Sequence, residues 1–451
     1  MPRKENVLKH FEDQKSETDT RVNADIEKYR KGTLSLTVFD RYGNAIKNAK
    51  VIARQKNHEY KYGANLFMLD EFETEDKNRI YREKFAEAFN IATLPFYWNA
   101  LEPQKGETRY TKDSERLYRR PPADLCIEYC KDKGIEPKVH CLNYESATPK
   151  WLKNESADTV KFYLEKRMKQ LSQRYADIIP SWEVTNECFN NYEIMKKDFA
   201  SVFYTDNDFA EWSFETADKY FPNNRLIIND NAVFDNDYNF FWGNRSPYYM
   251  QIERMLLKGV KHLDSIGMQF HSFLPKEKEY IITESRYNPQ RLYEVLDKYA
   301  ELGKKMQITE MTIPAYSAND EDEYIQAELI KNLYRIFFSH KAMEAIIYWN
   351  LPDGYAAFAP IGDMSKGENI YYGGLLRHDL SEKPAYKVIK NLFKKEWCTN
   401  AETITNEQGI AEFRGFYGDY DVTVIYDGKE VPVKIKLSEF DDNKKKIICS
   451  I

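Results

Sequence analysis

No run in the 451-residue chain approaches the ~18 consecutive apolar residues that a membrane-spanning helix requires, so a membrane role through helices is excluded. The first residues, MPRKENVLKHFEDQKSETDTR, also lack the apolar core of a secretory signal. The expectation is a cytoplasmic protein, or a secreted one from which a leader has been removed. Cysteine is sparse: six residues, at 126, 130, 141, 188, 398 and 449, are too scattered for a disulfide framework or a metal finger, so reduced thiols are expected. Cys126 and Cys130 stand at i, i+4 and read as core packing. Charge of one sign is lacking too. Its 66 basic and 72 acidic side chains leave −6 with no long basic run, which gives no footprint for nucleic acid or anionic lipid.

What is present is 42% hydrophobic residues in a pattern that changes along the chain. Residues 1–32 are charged and weakly periodic, a frayed arm or a surface helix. Residues 33–59 place β-rich runs on either side of Tyr42-Gly43-Asn44 and read as strand, turn, strand. At the other end, residues 396–451 carry Val422, Val424 and Tyr426, then Asp427-Gly428, then Val431, Val433 and Ile435. Alternation on both sides of Asp-Gly predicts a hairpin, with Pro432 on an edge or at a bulge because it cannot donate to a ladder. Both terminal pieces are short for independent stability, so together they are expected to build one small β-sandwich. A structural brace is the favoured role for it over a carbohydrate-binding module, since it shows no row of exposed Trp and Trp397 falls at the junction.

Between them, over 60–395, eight β-rich runs alternate with helical stretches: Tyr60–Leu66, Phe89–Tyr97, Ile135–Asn143, Ile179–Glu187, Arg225–Asn231, Ser265–His271, Lys305–Glu310 and Met343–Asn350. Val160, Tyr163, Leu164, Met168, Leu171 and Tyr175 show the helical period. Eight βα units predict an α/β fold, a closed (β/α)8 TIM barrel, whose chemistry sits at the C-terminal ends of the strands.

Those ends carry a constellation. The fourth run ends at Glu187 and the seventh at Glu310, both delivered to one rim. Two carboxylates facing each other across a sugar ring are the equipment for glycoside hydrolysis. The third run adds His140, Gln269 and His271 share a face of the sixth, and the eighth adds Trp349. Polar donors beside carboxylates under an aromatic ring suit a hydroxyl-rich ligand. A competing reading takes His140, Glu187, His271 and Glu310 as ligands of a divalent metal, as in a barrel isomerase or lyase. A third is a sugar-binding protein without turnover.

These residues resemble glycoside hydrolase family 10, the barrel enzymes best known as endo-β-1,4-xylanases, over roughly residues 60–395. WEVTNE at 182–187 is similar to the family's acid/base strand, and ITEMTI at 308–313 to its nucleophile strand. Supporting matches are Tyr62-Gly63, Leu101-Glu102-Pro103, His140 with Thr148-Pro149 and Trp151, and Gly267 through His271. The resemblance implies that Glu187 is the acid/base, Glu310 the nucleophile and Asn186 a contact to the sugar 2-hydroxyl. It further implies that His271 holds Glu310, that Gln269 bridges to it, and that neither metal nor cofactor is needed. The implied partner is an oligosaccharide or polysaccharide.

The chain also departs from the family. Its Glu and Lys that clamp the glycone sugar fall on Pro95 and Tyr97, and the usual aromatic, His and Gln positions after His140 read Tyr144, Glu145 and Ala147. Past Trp349, where the family keeps another Trp, the chain has YAAF ending at Phe358. The expectation is therefore a retaining glycoside hydrolase for β-linked, xylan-type or related, decorated oligosaccharides, with plain xylan as the alternative. Phe240-Phe241-Trp242-Gly243 with Tyr248-Tyr249 is the expected aglycone platform, Trp242 at its centre.

Overall fold

The computed structural model describes residues 2–188, 199–205, 208–231, 233–234 and 246–449. All eight expected barrel strands form: β3 (Lys61–Asn65), β4 (Ile91–Pro95), β5 (Glu136–His140), β6 (Ser181–Asn186), β7 (Arg225–Asp230), β8 (Ser265–His271), β9 (Lys305–Thr312) and β10 (Met343–Tyr348). They run parallel in chain order, and β10 pairs with β3 to close a (β/α)8 barrel. Closure leaves no free sheet edge.

The helices between strands form where the spacing predicts. Ser156 Oγ caps the Ala157–Tyr175 helix by accepting from Thr159 N at 3.2 Å, and the helix buries Val160, Leu164, Met168 and Leu171. It also buries Arg167, whose guanidinium donates to the Phe96 and Leu142 carbonyls and so ties down the chain leaving β4 and β5. Cys126 and Cys130 are both buried, and all six cysteines are free thiols. No helix among the described residues is long and apolar enough to cross a membrane.

The terminal segments make two further sheets. One has the order β12-β1-β15 (Ile410–Phe416, Lys31–Phe39, Lys444–Ile448), the other β11-β2-β13-β14 (Asn400–Ile404, Lys50–His58, Gly418–Tyr426, Lys429–Leu437). Strands β1 and β2 flank the Tyr42-Gly43-Asn44 turn yet lie in different sheets. The connection crosses the sandwich instead of closing a hairpin. The β13–β14 hairpin does close on Asp427-Gly428, both at positive φ (49° and 71°), with Tyr426 opposite Lys429. Pro432 sits on β14, an edge strand, as a residue without an N–H must. Inward residues of both sheets, among them Leu34, Leu36, Val51, Val422 and Val424, share one core. Trp397 stacks on Phe338 at 4.1 Å where the sandwich meets the barrel.

Residues 3–29 are helical: α1 (Arg3–Asp13) and α2 (Lys15–Tyr29) dock on the barrel's outer helices through Val7, Leu8, Phe11, Val22 and Ile26. Arg3 pairs with Glu279 at 2.7 Å and with Asp322 at 2.5 Å. Five apolar residues among many charges make too thin a stripe to stand out as periodicity.

Barrel closure demands close backbone approach at Gly63 on β3. A Cβ there would meet the Ile91 carbonyl oxygen of β4 at 2.0 Å and its Cγ2 at 2.6 Å. Gly63→Ala should therefore destabilise the protein by about 1–3 kcal/mol, the cost of overpacking a filled interior. Thermal melting reads this as a midpoint lowered by several degrees; an unchanged midpoint would contradict the approach of β3 to β4.

Candidate active site

The strand ends open into one cleft of about 750 Å³ lined by Glu187, Glu310, Asn186, Gln269, His271 and Trp349, with His140, Tyr97 and Tyr144 beside them. Glu187 follows the last residue of β6 with φ at +52°, a left-handed conformation that costs a non-glycine residue about 1–3 kcal/mol. Its N–H donates to the Asn229 carbonyl at 2.9 Å, which fixes the turn that aims the side chain. Tyr144 Oη donates to Glu187 Oε2 at 2.7 Å, and Gln269 Nε2 donates to Oε1 at 3.2 Å and to Asn186 Oδ1 at 3.3 Å. Gln269 thus serves Glu187 and not Glu310, because its position on β8 puts the amide over the end of β6. Burial first, and then the Glu187 charge, drive the Tyr144 phenol upward, so it stays a donor.

Glu310 on β9 receives Asn229 Nδ2 at 3.0 Å on Oε1 and His271 Nε2 at 3.0 Å on Oε2. Burial pushes its pKa up to about 8; Glu183 and Glu187 add to this, while His140 and Asn229 oppose it. Burial pushes His271 down to about 4, so this imidazole is neutral near pH 7. Its Nδ1 lies 3.0 Å from Thr312 Oγ1, a hydroxyl that can donate to Nδ1 when Nε2 donates to ionised Glu310.

Beneath the pair lies a buried ion cluster. Glu183 on β6, fully enclosed, contacts Lys138 Nζ and His140 Nδ1, both on the inward face of β5. Burial would raise the Glu183 carboxyl, but Lys138 and His140 outweigh it and hold the pKa below the ordinary value. Burial would likewise lower His140, yet Glu183 and then Glu310 outweigh it and hold the imidazole above its ordinary value, with Nδ1 3.8 Å from Glu310 Oε1. His140, Glu183 and Glu310 bring ligand atoms within 4.8 Å of one another, and this is the trio that a metal would meet. It differs from the expected set, since Glu187 and His271 are not part of it. Lys138 already supplies a positive charge to Glu183 from within the protein, so the donor set is a poor match for a divalent ion.

Aromatic rings form the walls. Trp349 stands edge-on to His140 (5.4 Å), His271 (5.8 Å) and Phe67 (5.2 Å), and Tyr97 lies 5.1 Å from His140. Both departures at Tyr97 and Tyr144 therefore face the cleft. The expected aglycone platform fares differently. Trp242 and its neighbours at 240–243 lie outside the described residues, whereas Tyr248 and Tyr249 are buried on the Pro247–Leu257 helix and pack on Tyr299, leaving no face for a sugar.

Sequence reasoning missed five contributors. Asn229, near the end of β7, bonds Asn186 at 2.8 Å as well as Glu310, and the strand-end rule applied to the fifth run would have found it. Lys138 and Glu183 could have been read as charges on an inward strand face otherwise apolar. Arg119 and Arg120, in the loop before the Ala123–Lys133 helix, line the cleft but precede no strand end.

Residues 54–392 match the family model described as glycosyl hydrolase family 10. Among curated proteins, the chain is 24% identical over 416 residues to "Anti-sigma-I factor RsgI6" of Acetivibrio thermocellus, covering 90% of this chain and 47% of that protein. It is 23% identical to "Endo-1,4-beta-xylanase B" of Neocallimastix patriciarum, covering 68% and 32%, and 24% identical to "Beta-1,4-xylanase" of Dictyoglomus thermophilum, covering 61% and 80%. The chain thus spans less than half the length of the first two. The solved structure of xylanase 10B from Thermotoga petrophila with xylobiose superposes with a TM-score of 0.58 at 22% identity, over 75% of this chain and 95% of that one, a likeness of fold.

The environment of Glu310 has a measurable signature. Its folded pKa of about 8 lies above the unfolded value near ~4.3, so the native state holds a proton that the unfolded chain has released, and stability falls as pH rises between the two. Glu310→Gln removes this slope, at most about 1.4 kcal/mol per pH unit. The melting midpoint of Glu310→Gln minus that of the wild type should therefore grow from pH 5 to pH 8; a constant difference would contradict the raised pKa.

Proposed function

Because the chain belongs to glycosyl hydrolase family 10, we propose that it is a retaining glycosidase of β-linked, xylan-type oligosaccharides, with Glu187 as acid/base and Glu310 as nucleophile. The observation that carries the reading is the pair itself. Two glutamates from β6 and β9 face one aromatic-walled cleft, each held by a different residue of β8.

In the reaction, ionised Glu310 attacks the anomeric carbon while Glu187 gives its proton to the leaving oxygen and the glycosidic C–O bond breaks. A water molecule, deprotonated by Glu187, then attacks the anomeric carbon, releases Glu310 and restores the starting configuration. Such pairs stand about 5–5.5 Å apart. His271 and Asn229 orient the nucleophile, and Tyr144 and Gln269 orient the acid. Asn186, whose Oδ1 is already occupied, offers its amide hydrogens to a sugar hydroxyl. The rings of Tyr97, Tyr144 and Trp349 suit a glycone with an apolar face or a side group, which favours decorated oligosaccharides. The names of the relatives favour plain xylan as the second reading.

Three outcomes check the roles. A slow fluoro-sugar should label Glu310, and peptide mass spectrometry placing the label on another carboxylate would remove it as nucleophile. Glu187→Ala should lose about 10²–10⁴-fold on substrates with poor leaving groups, far less on activated aryl glycosides, and azide should restore part of the turnover. Equal losses on both substrate types would remove Glu187 as the acid. The reacting form of Glu310 is the anion, so the acid limb of kcat/KM should lie well above the ordinary carboxylate range; a limb near pH 4 would contradict that assignment.

A further inference from the structure

We infer that Arg120, stacked on Tyr97, is a recognition site for a carboxylate carried by the sugar chain, so that the preferred substrates are β-linked oligosaccharides bearing a uronic acid. The inference rests on the glycosidase reading and deepens it by naming the substrate class.

The segment Arg119-Arg120-Pro121-Pro122 ends in two prolines that hold it out of the following helix, which begins at Ala123. Arg119 sits at φ +61° and commits its guanidinium to the protein, donating to Asn350 Oδ1 at 3.0 Å and to the Tyr355 carbonyl. Arg120 is held in place without being consumed. Its guanidinium lies 3.9 Å over the Tyr97 ring and 5.4 Å from Phe67, Nη1 donates to the Arg119 carbonyl at 2.8 Å, and its own carbonyl accepts from Arg109 at 3.1 Å. Among the described residues, Nε and Nη2 meet no protein acceptor and no carboxylate pairs with Arg120. The acids of the cleft are engaged elsewhere: Glu187 with Tyr144 and Gln269, Glu310 with Asn229 and His271, Glu368 with Asn350 at 3.3 Å.

A half-buried guanidinium with two cation-facing neighbours, Arg119 and an aromatic face, has lost water without gaining an anion. A sugar hydroxyl, which can offer only a neutral acceptor, would not repay that loss. A carboxylate matches the planar fork and supplies the missing charge. The sugar that carries it would sit against Tyr97, between Arg120 and the catalytic pair.

The test compares a xylo-oligosaccharide bearing one uronic acid, the methyl ester of the same compound, and the undecorated oligomer. Binding is measured by calorimetry with Glu310→Gln, and turnover with the wild type. The free acid should bind at least tenfold more tightly than the ester, with a preference that shrinks as salt is raised. Adding Arg120→Gln should bring the acid-to-ester ratio to about one, and Arg120→Lys should keep part of it. An ester bound as tightly as the acid overturns the inference without recourse to any Arg120 variant, and so does an acid preference that survives Arg120→Gln. Acid-preferring binding with no turnover of any compound would leave the carboxylate site standing and sink the glycosidase reading. Turnover of all three at equal kcat/KM would do the reverse.

Discussion

The ion cluster inside the barrel is the constraint on which the site depends. Lys138 and His140 alternate along β5, so both point inward, and Glu183 meets them from β6 at full burial. Losing Glu183 would leave Lys138 enclosed without its carboxylate partner, and removing one partner of a buried pair costs about 3–5 kcal/mol. Glu310 Oε1 comes within 3.8 Å of His140, a neighbour that favours its ionisation. Burial and the neighbouring acids work against that ionisation, so the proton on Glu310 belongs to the cluster as much as to the residue. By the proposed mechanism, the glycosyl ester formed at Glu310 removes that carboxylate's charge from beside His140, and hydrolysis of the ester restores it.

The barrel divides the positioning between neighbouring strands. β6 and β9 supply the carboxylates, β8 lies beside β9 and sends Gln269 to one and His271 to the other, and Asn229 on β7 joins Asn186 to Glu310. The two glutamates are therefore kept in different company. Glu187 has a phenol and an amide, whereas Glu310 has a neutral imidazole, an amide and His140 nearby, set against the burial and neighbouring acids that raise its pKa. Under the proposed roles, the residue that would exchange protons and the residue that would form a bond differ in what surrounds them.

The barrel was legible because each strand is a short β-rich run bounded by helical periodicity, and the strand ends then exposed Glu187, Glu310, His140, His271 and Trp349. The terminal hairpin was legible through Asp427-Gly428, where the turn type demands those residues. Less visible was anything held by a contact between distant segments. The role of Gln269 depends on which of two glutamates its amide reaches, and nothing local decides that. Tyr248 and Tyr249 read as a loop platform but face Tyr299, a partner some fifty residues away. Helices α1 and α2 carry few apolar residues and are anchored by ion pairs such as Arg3 with Glu279, which leave no period in the chain. Arg119 and Arg120 come from a loop that breaks the strand-end pattern.

The sandwich draws on both ends of the chain: β1 pairs with β12 and β15, and β2 with β11 and β13. About 340 residues separate β2 from β11, and all of the barrel lies between them. At a synthesis rate of roughly 5–20 residues per second, β1 and β2 leave the ribosome tens of seconds before their partners exist. During that interval they present unpaired edges, the feature that invites pairing with other chains. In the folded protein His58 and Tyr60 pack on Phe338 and Phe393 of the barrel side, and the last strands to be made are the ones that complete both sheets.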